Sequence, residues 1–329
     1  MKAIPFPIAA AAATAAASLF ALAGCERKPP DEGTTLGTVA EARARASATR
    51  QKPVGAPPEA LDVQAIKRAV VHLSQQIGPR VAASPQLHAA AQFVASALAH
   101  AGYDVDVLTF EVPDGGTSRT VVASTSAPGP RLVLAAHIDT VRDCPGANDD
   151  ATGVAVIMEV ARILSARRLL PDVPAQFVFL GAEEEIPGYE GHGYSAVKLL
   201  EQLPAEEQHR MAAAVYLDKL GRGNRYLALY VEEAGDAAAT MFRRAANGAP
   251  RRPKVVSVDP WSEAMAFEDA GIPIAWVEWA RDDRLHQPTD LPDSLDWHKV
   301  ALVAEATLNL ALSKTWLQRP SHVAAREAN

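Results

Sequence analysis

His137, Asp139 and Asp149 fall within the stretch AAHIDTVRDCPGANDD, Ala135 to Asp150, with His137 at the end of the apolar run RLVLA. Asp149 follows twelve residues after His137 in a Gly/Asn turn, so a strand tip and the loop after it can meet. One imidazole and nearby carboxylates are the donors that a zinc ion takes. Further on, Glu183 and Glu184 follow FVFLGA, Asp218 follows AAVYL, and His286 comes some residues after IAWVEW. His137, Asp149, Glu184, Asp218 and His286 make two imidazoles and three carboxylates. That inventory suits two zinc ions that share one bridging carboxylate, each with one His and one further carboxylate of its own. Asp139 is suited to accept a hydrogen bond from the other ring nitrogen of His137 and so fix its tautomer. Glu183 stays free of metal and is placed to take a proton from a bound water, as a general base does.

Each of these residues also has a plainer reading. Alone, His137 is a strand-end histidine, Asp218 a solvated loop acid and His286 surface decoration; order and spacing together carry the metal reading. Asp150, beside Asp149, reads as a turn or helix-cap residue. His192, in GYEGHGYS, competes for a ligand place, but its flanking glycines suggest a flexible loop. Cys144 lies inside the metal loop and reads as a small buried thiol. Trp261, Trp276, Trp279 and Trp297 read as core, with Trp279 best placed to line a pocket ahead of His286.

The elements that must position these groups follow from periodicity. Val63, Ile66, Val70, Leu73 and Ile77 recur at helical spacing, and a second helix over Pro85 to Ala101 ends at Gly102. From Tyr103 to Val112 the pattern alternates as in a strand; the turn Asp114-Gly115-Gly116 and the run Thr120 to Ala123 suggest a hairpin. Leu132 to Ala136 is a short apolar strand carrying His137. A helix with Val154, Ile157, Met158, Ala161 and Leu164 on one face follows the NDD turn, and Gln176 to Leu180 is another apolar strand. Ala212 to Leu217 and Ile272 to Val277 repeat the short strand. Helices are expected over Asp236 to Asn247, over Trp261 to Ala270, and from a Ser294 cap onward. Strands alternating with helices predict a three-layer helix-sheet-helix α/β domain whose mixed sheet is parallel at its centre. In such sheets functional groups gather at the carboxyl ends of strands, where the residues above lie.

The ends have a different character. Lys2 followed by the uncharged Ala-rich run Ile4 to Leu22 reads as a secretory signal over 1-24. Leu22-Ala23-Gly24-Cys25 resembles the lipobox of bacterial lipoproteins, which makes Cys25 the lipidated residue. Because Glu26 rather than Asp follows it, the expected location is the outer membrane, facing the periplasm. Residues 25-58, rich in Pro and without apolar period, read as a disordered tether. The folded domain is expected over 59-316 and a tail over 317-329. Residues 59 to 329 carry 25 Lys and Arg against 35 Asp and Glu, a net of about −10 that argues against a nucleic-acid partner. Cys25 and Cys144 are the two cysteines, and lipidation of the first rules out an intrachain disulfide.

HID at 137 to 139, PGANDDATG at 145 to 153, FLGAEE at 179 to 184, YLDKLG at 216 to 221 and LHQPTD at 285 to 290 together resemble the co-catalytic zinc aminopeptidase family. IGPRVAAS and HAGYDVDVLTFEV are similar to that family's approach to its active site, so the resemblance covers about residues 60 to 314. It implies two Zn ions: His137 and Asp218 on one, Glu184 and His286 on the other, Asp149 bridging and Glu183 as base. It also implies hydrolysis of the first bond of peptides that carry a free N-terminus. Leu285 departs from the family, many of whose members place a polar or aromatic oxyanion donor just before the last His. Lys219, Arg284 or the zinc itself stand as replacements, and Glu185 is a candidate anchor for the substrate ammonium. Two other readings compete: glutaminyl cyclisation on one zinc, and a non-catalytic binding domain that kept the fold.

Overall fold

The computed structural model describes residues 60–184, 186–190, 193–231, 235–258 and 264–317. The expected signal, Cys25 and tether, together with Glu185, His192, Trp261 and the tail beyond Leu317, lie outside the described residues. The chain opens with α1 (Val63–Val71), continues through a π-type turn (His72–Ile77), and reaches α2 (Pro85–His100). Asp62 caps α1 by accepting from the Gln64 N–H, and Ser84 caps α2 by accepting from Leu87 N–H with Pro85 in its first turn. The hairpin strands β1 (Asp104–Glu111) and β2 (Thr117–Ser124) precede β3 (Arg131–His137), α3 (Ala151–Ala166) and β4 (Ala175–Leu180). Next come α4 (Tyr194–Gln202), α5 (Ala205–His209), β5 (Met211–Leu217), β6 (Arg225–Val231) and α6 (Ala237–Ala245). The chain then forms β7 (Lys254–Val258), α7 (Ala264–Asp269), β8 (Ile274–Ala280) and α8 (Trp297–Ser313).

The strands form one eight-stranded sheet in the order β1-β2-β4-β3-β5-β8-β6-β7. The neighbours β4, β3, β5 and β8 run parallel, while β1, β2 and β6 join antiparallel and β7 runs parallel to β6 at the outer edge. Side chains on β3 alternate between two cores: Leu132, Leu134 and Ala136 pack in one with residues of α1, α2, α3, α6 and α8, Val133 and Ala135 in the other with residues of α4 and α7. The expected three-layer α/β architecture is therefore present. No helix among the described residues is long and apolar enough to cross a membrane.

Two local expectations are corrected. The last helix is capped by Asp296, which accepts from the His298 N–H, and not by Ser294, which ends a short 3₁₀ turn and bonds the Leu291 carbonyl. The helix expected over Trp261 to Ala270 is described over Ala264–Asp269, and its expected start lies outside the described residues. Trp279 does not line a pocket: its ring is fully buried and stacks on Tyr226 at 4.8 Å.

Candidate metal centre

Four parallel strands end on one rim of the sheet and deliver the five proposed ligands. His137 is the last residue of β3, Asp218 follows β5 directly, Glu183 and Glu184 follow β4 after a Gly-Ala step, and His286 lies on the loop after β8. Two glycines make this convergence possible. A Cβ at Gly153 would run into the Leu217 carbonyl and the Asp150 carboxylate, so a bare backbone lets α3 start against the end of β5. A Cβ at Gly181 would strike the Arg119 carbonyl, so the turn that presents Glu183 passes tightly against β2.

Asp149 stands at the centre. Its Oδ1 lies 3.0 Å from His137 Nε2, and its Oδ2 lies 3.4 Å from His286 Nε2. His286 Nε2 is also 3.2 Å from Glu184 Oε2, and His137 Nε2 is 3.9 Å from Asp218 Oδ1. One carboxylate thus faces an imidazole with each of its oxygens, with one further carboxylate beyond each ring. Donor atoms of His137, Asp149 and Glu184 all lie within 4.8 Å of one another, as do those of His137, Asp150 and Asp218. Asp218 Oδ1 and His137 Nδ1 are buried without a hydrogen-bond partner. Buried nitrogen and oxygen donors crowded this closely fit zinc, whereas without an ion the carboxylates would repel one another.

Acidities reflect that crowding. Burial pushes the Glu183 carboxyl up to about 8, with Glu184, Asp218 and Asp139 adding to the shift and His137 opposing it. Burial disfavours a charged His137, but Asp139 and Asp149 outweigh it and raise the ring well above its ordinary value. Asp149 and Glu184 raise His286 to about 10. Against the cost of burial, His137 and His286 hold Asp149 well below the usual carboxylate range.

Asp139 lies 3.6 Å from His137 Nδ1, and its carboxylate accepts from the N–H groups of Glu183 and Glu184 at 3.0–3.1 Å. It therefore joins the ends of β3 and β4. Asp150 is the N-cap of α3, accepting from Gly153 N–H at 2.9 Å, so the helix-cap reading holds; its other oxygen is buried without a partner. Cys144 is buried, as expected, and burial pushes its thiol up to about 12. Lys219 pairs with Asp218 and Glu278. Arg284 reaches the Thr289 carbonyl, and Leu285 is exposed.

Two arginines went unnoticed in the sequence. Arg80 is fully buried and donates to the carbonyls of Leu73, Gly78, Ile138, Pro145 and Gly146, clamping the loop between His137 and Asp149. Arg222 pairs with Asp282 through two nitrogens and donates to Asp290 and Ser294. Asp290 accepts from the N–H groups of Asn148 and Asp149, and Asp282 accepts from Asn148 Nδ2 and Arg284 N–H. The loops carrying Asp149 and His286 thus share one anchor. Only Arg80, inside IGPRVAAS, had a signal: a lone arginine within an apolar connection between two helices.

A family model described as Peptidase family M28 matches residues 120–311, which contain the five proposed ligands, Asp139 and Glu183. Leupeptin-inactivating enzyme 1 of Streptomyces exfoliatus is 28% identical over 188 residues, 56% of this chain and 41% of that protein. The chain thus spans about two fifths of the length of that relative. Among solved structures, the zinc aminopeptidase BSAP from Bacillus subtilis superposes with a TM-score of 0.69 at 15% identity, covering 78% of this chain and 95% of that one. A Bacteroides thetaiotaomicron glutaminyl cyclase gives 0.65 at 19% identity over 77% of this chain and 98% of its own. At such identities the structures speak for the fold, the three-layer arrangement described above. The family match over more than half of the sequence goes further: the chain belongs to Peptidase family M28.

Proposed function

We propose that the protein is an aminopeptidase that hydrolyses the N-terminal bond of peptides at a two-zinc centre. The observation that carries this reading is the placement of Asp149, with one oxygen toward His137 and the other toward His286. In this reading His137 and Asp218 would hold one ion, Glu184 and His286 the other, and Asp149 would serve both. Zinc bound there supplies Lewis acidity toward a carbonyl and brings the pKa of a water to about 7. Glu183 would accept a proton from the attacking water and return it to the departing amine. A carboxyl set near neutrality by burial suits a group that must both accept and give a proton. Asp139 orients His137 and the turn carrying Glu183. The acidic surroundings complement a substrate ammonium, which favours removal of a first residue over internal cleavage.

Glutaminyl cyclisation on one zinc is the second reading, supported by the likeness of fold to a glutaminyl cyclase. Metal analysis of the purified chain, with a panel of aminoacyl-anilides and a peptide beginning with Gln, tests both. Two equivalents of zinc and release of free amine support the aminopeptidase; one equivalent and ring closure of Gln would overturn it. Silence on both substrates would favour a binding domain. We further propose export as a lipoprotein anchored through Cys25 in the outer membrane, facing the periplasm, on the strength of LAGC at residues 22 to 25. Mass spectrometry of the N-terminal peptide should find acylated Cys25, and an unmodified N-terminus at Met1 would sink this reading.

A further inference from the structure

In the helical layer, α1, α2 and the middle of α3 form a cavity of about 710 Å³. It stands well apart from the metal centre: Met158 and Arg162 lie eight and twelve residues beyond Asp150, roughly 12 to 18 Å along α3. Its walls are apolar, formed by Ala65, Ala69, Phe93, Leu98, Ala101 and Met158. Ala65 and Ala69 stand one turn apart on the same face of α1, where longer side chains would fill the space. The π-type turn His72–Ile77, closed by a bond from the Gly78 N–H to the Leu73 carbonyl, contributes His72 and Gln76 to the lining. Within it His72 Nδ1 lies 2.6 Å from Gln76 Oε1, and the His72 ring is 4.4 Å from that of Phe93. Such turns are rare and recur at functional sites.

The charges at this cavity are unbalanced. Lys67, Arg68 and Arg162 line it with one carboxylate, Glu159. Both Glu159 oxygens are already engaged: Oε1 accepts from the Asp62 N–H and from Arg162, and Oε2 accepts from Arg162 Nε. Arg68 pairs with Asp62 at 3.2 Å, but both side chains are exposed, so that pair is weak. Lys67 forms no ion pair among the described residues and lies 5.5 Å over the Trp297 ring. An incoming ammonium would meet cations and an occupied carboxylate, whereas an anion would meet Lys67 and Arg68. Residues 59 to 329 carry a net charge of about −10, so this rim runs against the charge of the whole. We infer that the cavity is a second binding site, which takes a single-chain amphiphile with an anionic head. The chain lies among α1, α2 and α3, and the head faces Lys67 and Arg68. The volume falls within the range of about 300 to 1,000 Å³ typical of small-molecule sites. Apolar burial supplies affinity, and the cations decide which end faces out.

Calorimetric titration of the full-length protein with dodecanoate below its micelle concentration tests this. One equivalent should bind, with the same affinity before and after treatment with a zinc chelator, which sets this site apart from a carboxylate held by metal. Dodecyltrimethylammonium, with the same chain and the opposite charge, should bind about tenfold more weakly or worse. Lys67→Glu combined with Arg68→Glu should weaken dodecanoate by about tenfold or more, and Lys67→Arg should leave its affinity within about threefold. Ala69→Phe, which fills the cavity, should abolish binding with helix content unchanged by circular dichroism. Equal binding of the two amphiphiles, many weak equivalents, loss of binding on chelation, or no effect of the paired Glu substitutions would overturn the inference. Absence of binding would overturn it as well. Light scattering would then tell a second copy on this face from the Pro-rich run ahead of Ala60, whose carbonyl Arg162 holds at 3.1 Å beside the rim.

Discussion

At the scale of single residues, the proposed function assigns holding metal and moving protons to different side chains. Glu183 has its N–H bonded to Asp139, and its carboxyl is flanked by Asp218 and Glu184. Glu183→Gln keeps the shape and loses the proton acceptor, so turnover should fall by roughly 10² to 10⁴ while zinc content stays constant. Unchanged turnover, or loss of metal, would remove Glu183 from that role. The histidines make metal uptake pH-dependent. His286 is raised to about 10 in the metal-free protein, so its ring is protonated at neutral pH, and a zinc ligand must shed that proton. Uptake near pH 7 should therefore release protons, detectable in a weakly buffered indicator solution. Affinity should fall with falling pH, and the release should fade as pH rises through about 10. The stability that the protonated ring lends the metal-free fold is fully present below the ordinary histidine value, near 6.5, and is lost over the same rise.

At the scale of elements, buried arginines hold the loops that strands alone could not. Arg222 ties the Asp149 loop to the His286 loop through Asp282 and Asp290. Arg222→Met should weaken zinc binding about 10- to 100-fold, the range for loss of an outer support, with helix content unchanged by circular dichroism. Arg80→Met would leave the carbonyls it serves unsatisfied, and a cost of more than about 3 kcal/mol in urea unfolding is expected. These anchors also mark where the sequence stops being legible. Four of the proposed ligands could be read because they stand at or soon after the end of an apolar run, and strand ends in a parallel sheet converge; Asp149 could be read from its turn, twelve residues after His137. Arg222 could not: its partners lie 60 to 72 residues away, and nothing local distinguishes it from a surface arginine. Lys219 stood in the sequence as an oxyanion candidate, and its place against Glu278 depends on a neighbour 59 positions on. β6 and β7 were not anticipated. β6 is apolar on both faces, a pattern that length alone separates poorly from buried helix, and β7 is a five-residue edge strand of mostly half-exposed residues held by pairing with β6.

At the scale of the whole molecule, the layered fold was legible because strand and helix patterns alternate through most of the chain. Strand order was not, since it arises from pairing between distant segments. Metal should also act on the molecule as a whole. Zinc binds the assembled site and not its separate pieces, so adding it at 100 times its dissociation constant should stabilise the fold by about 2.7 kcal/mol. A melting temperature that does not respond to zinc would speak against a preformed site. The sheet order carries one more consequence. The site hangs on β4, β3, β5 and β8, four adjacent strands flanked on one side by β1 and β2 and on the other by β6 and β7. Amide exchange should therefore be fast at both margins and slow between them. Such a molecule can fray at its borders, or lose a margin to nicking, with its working centre still assembled.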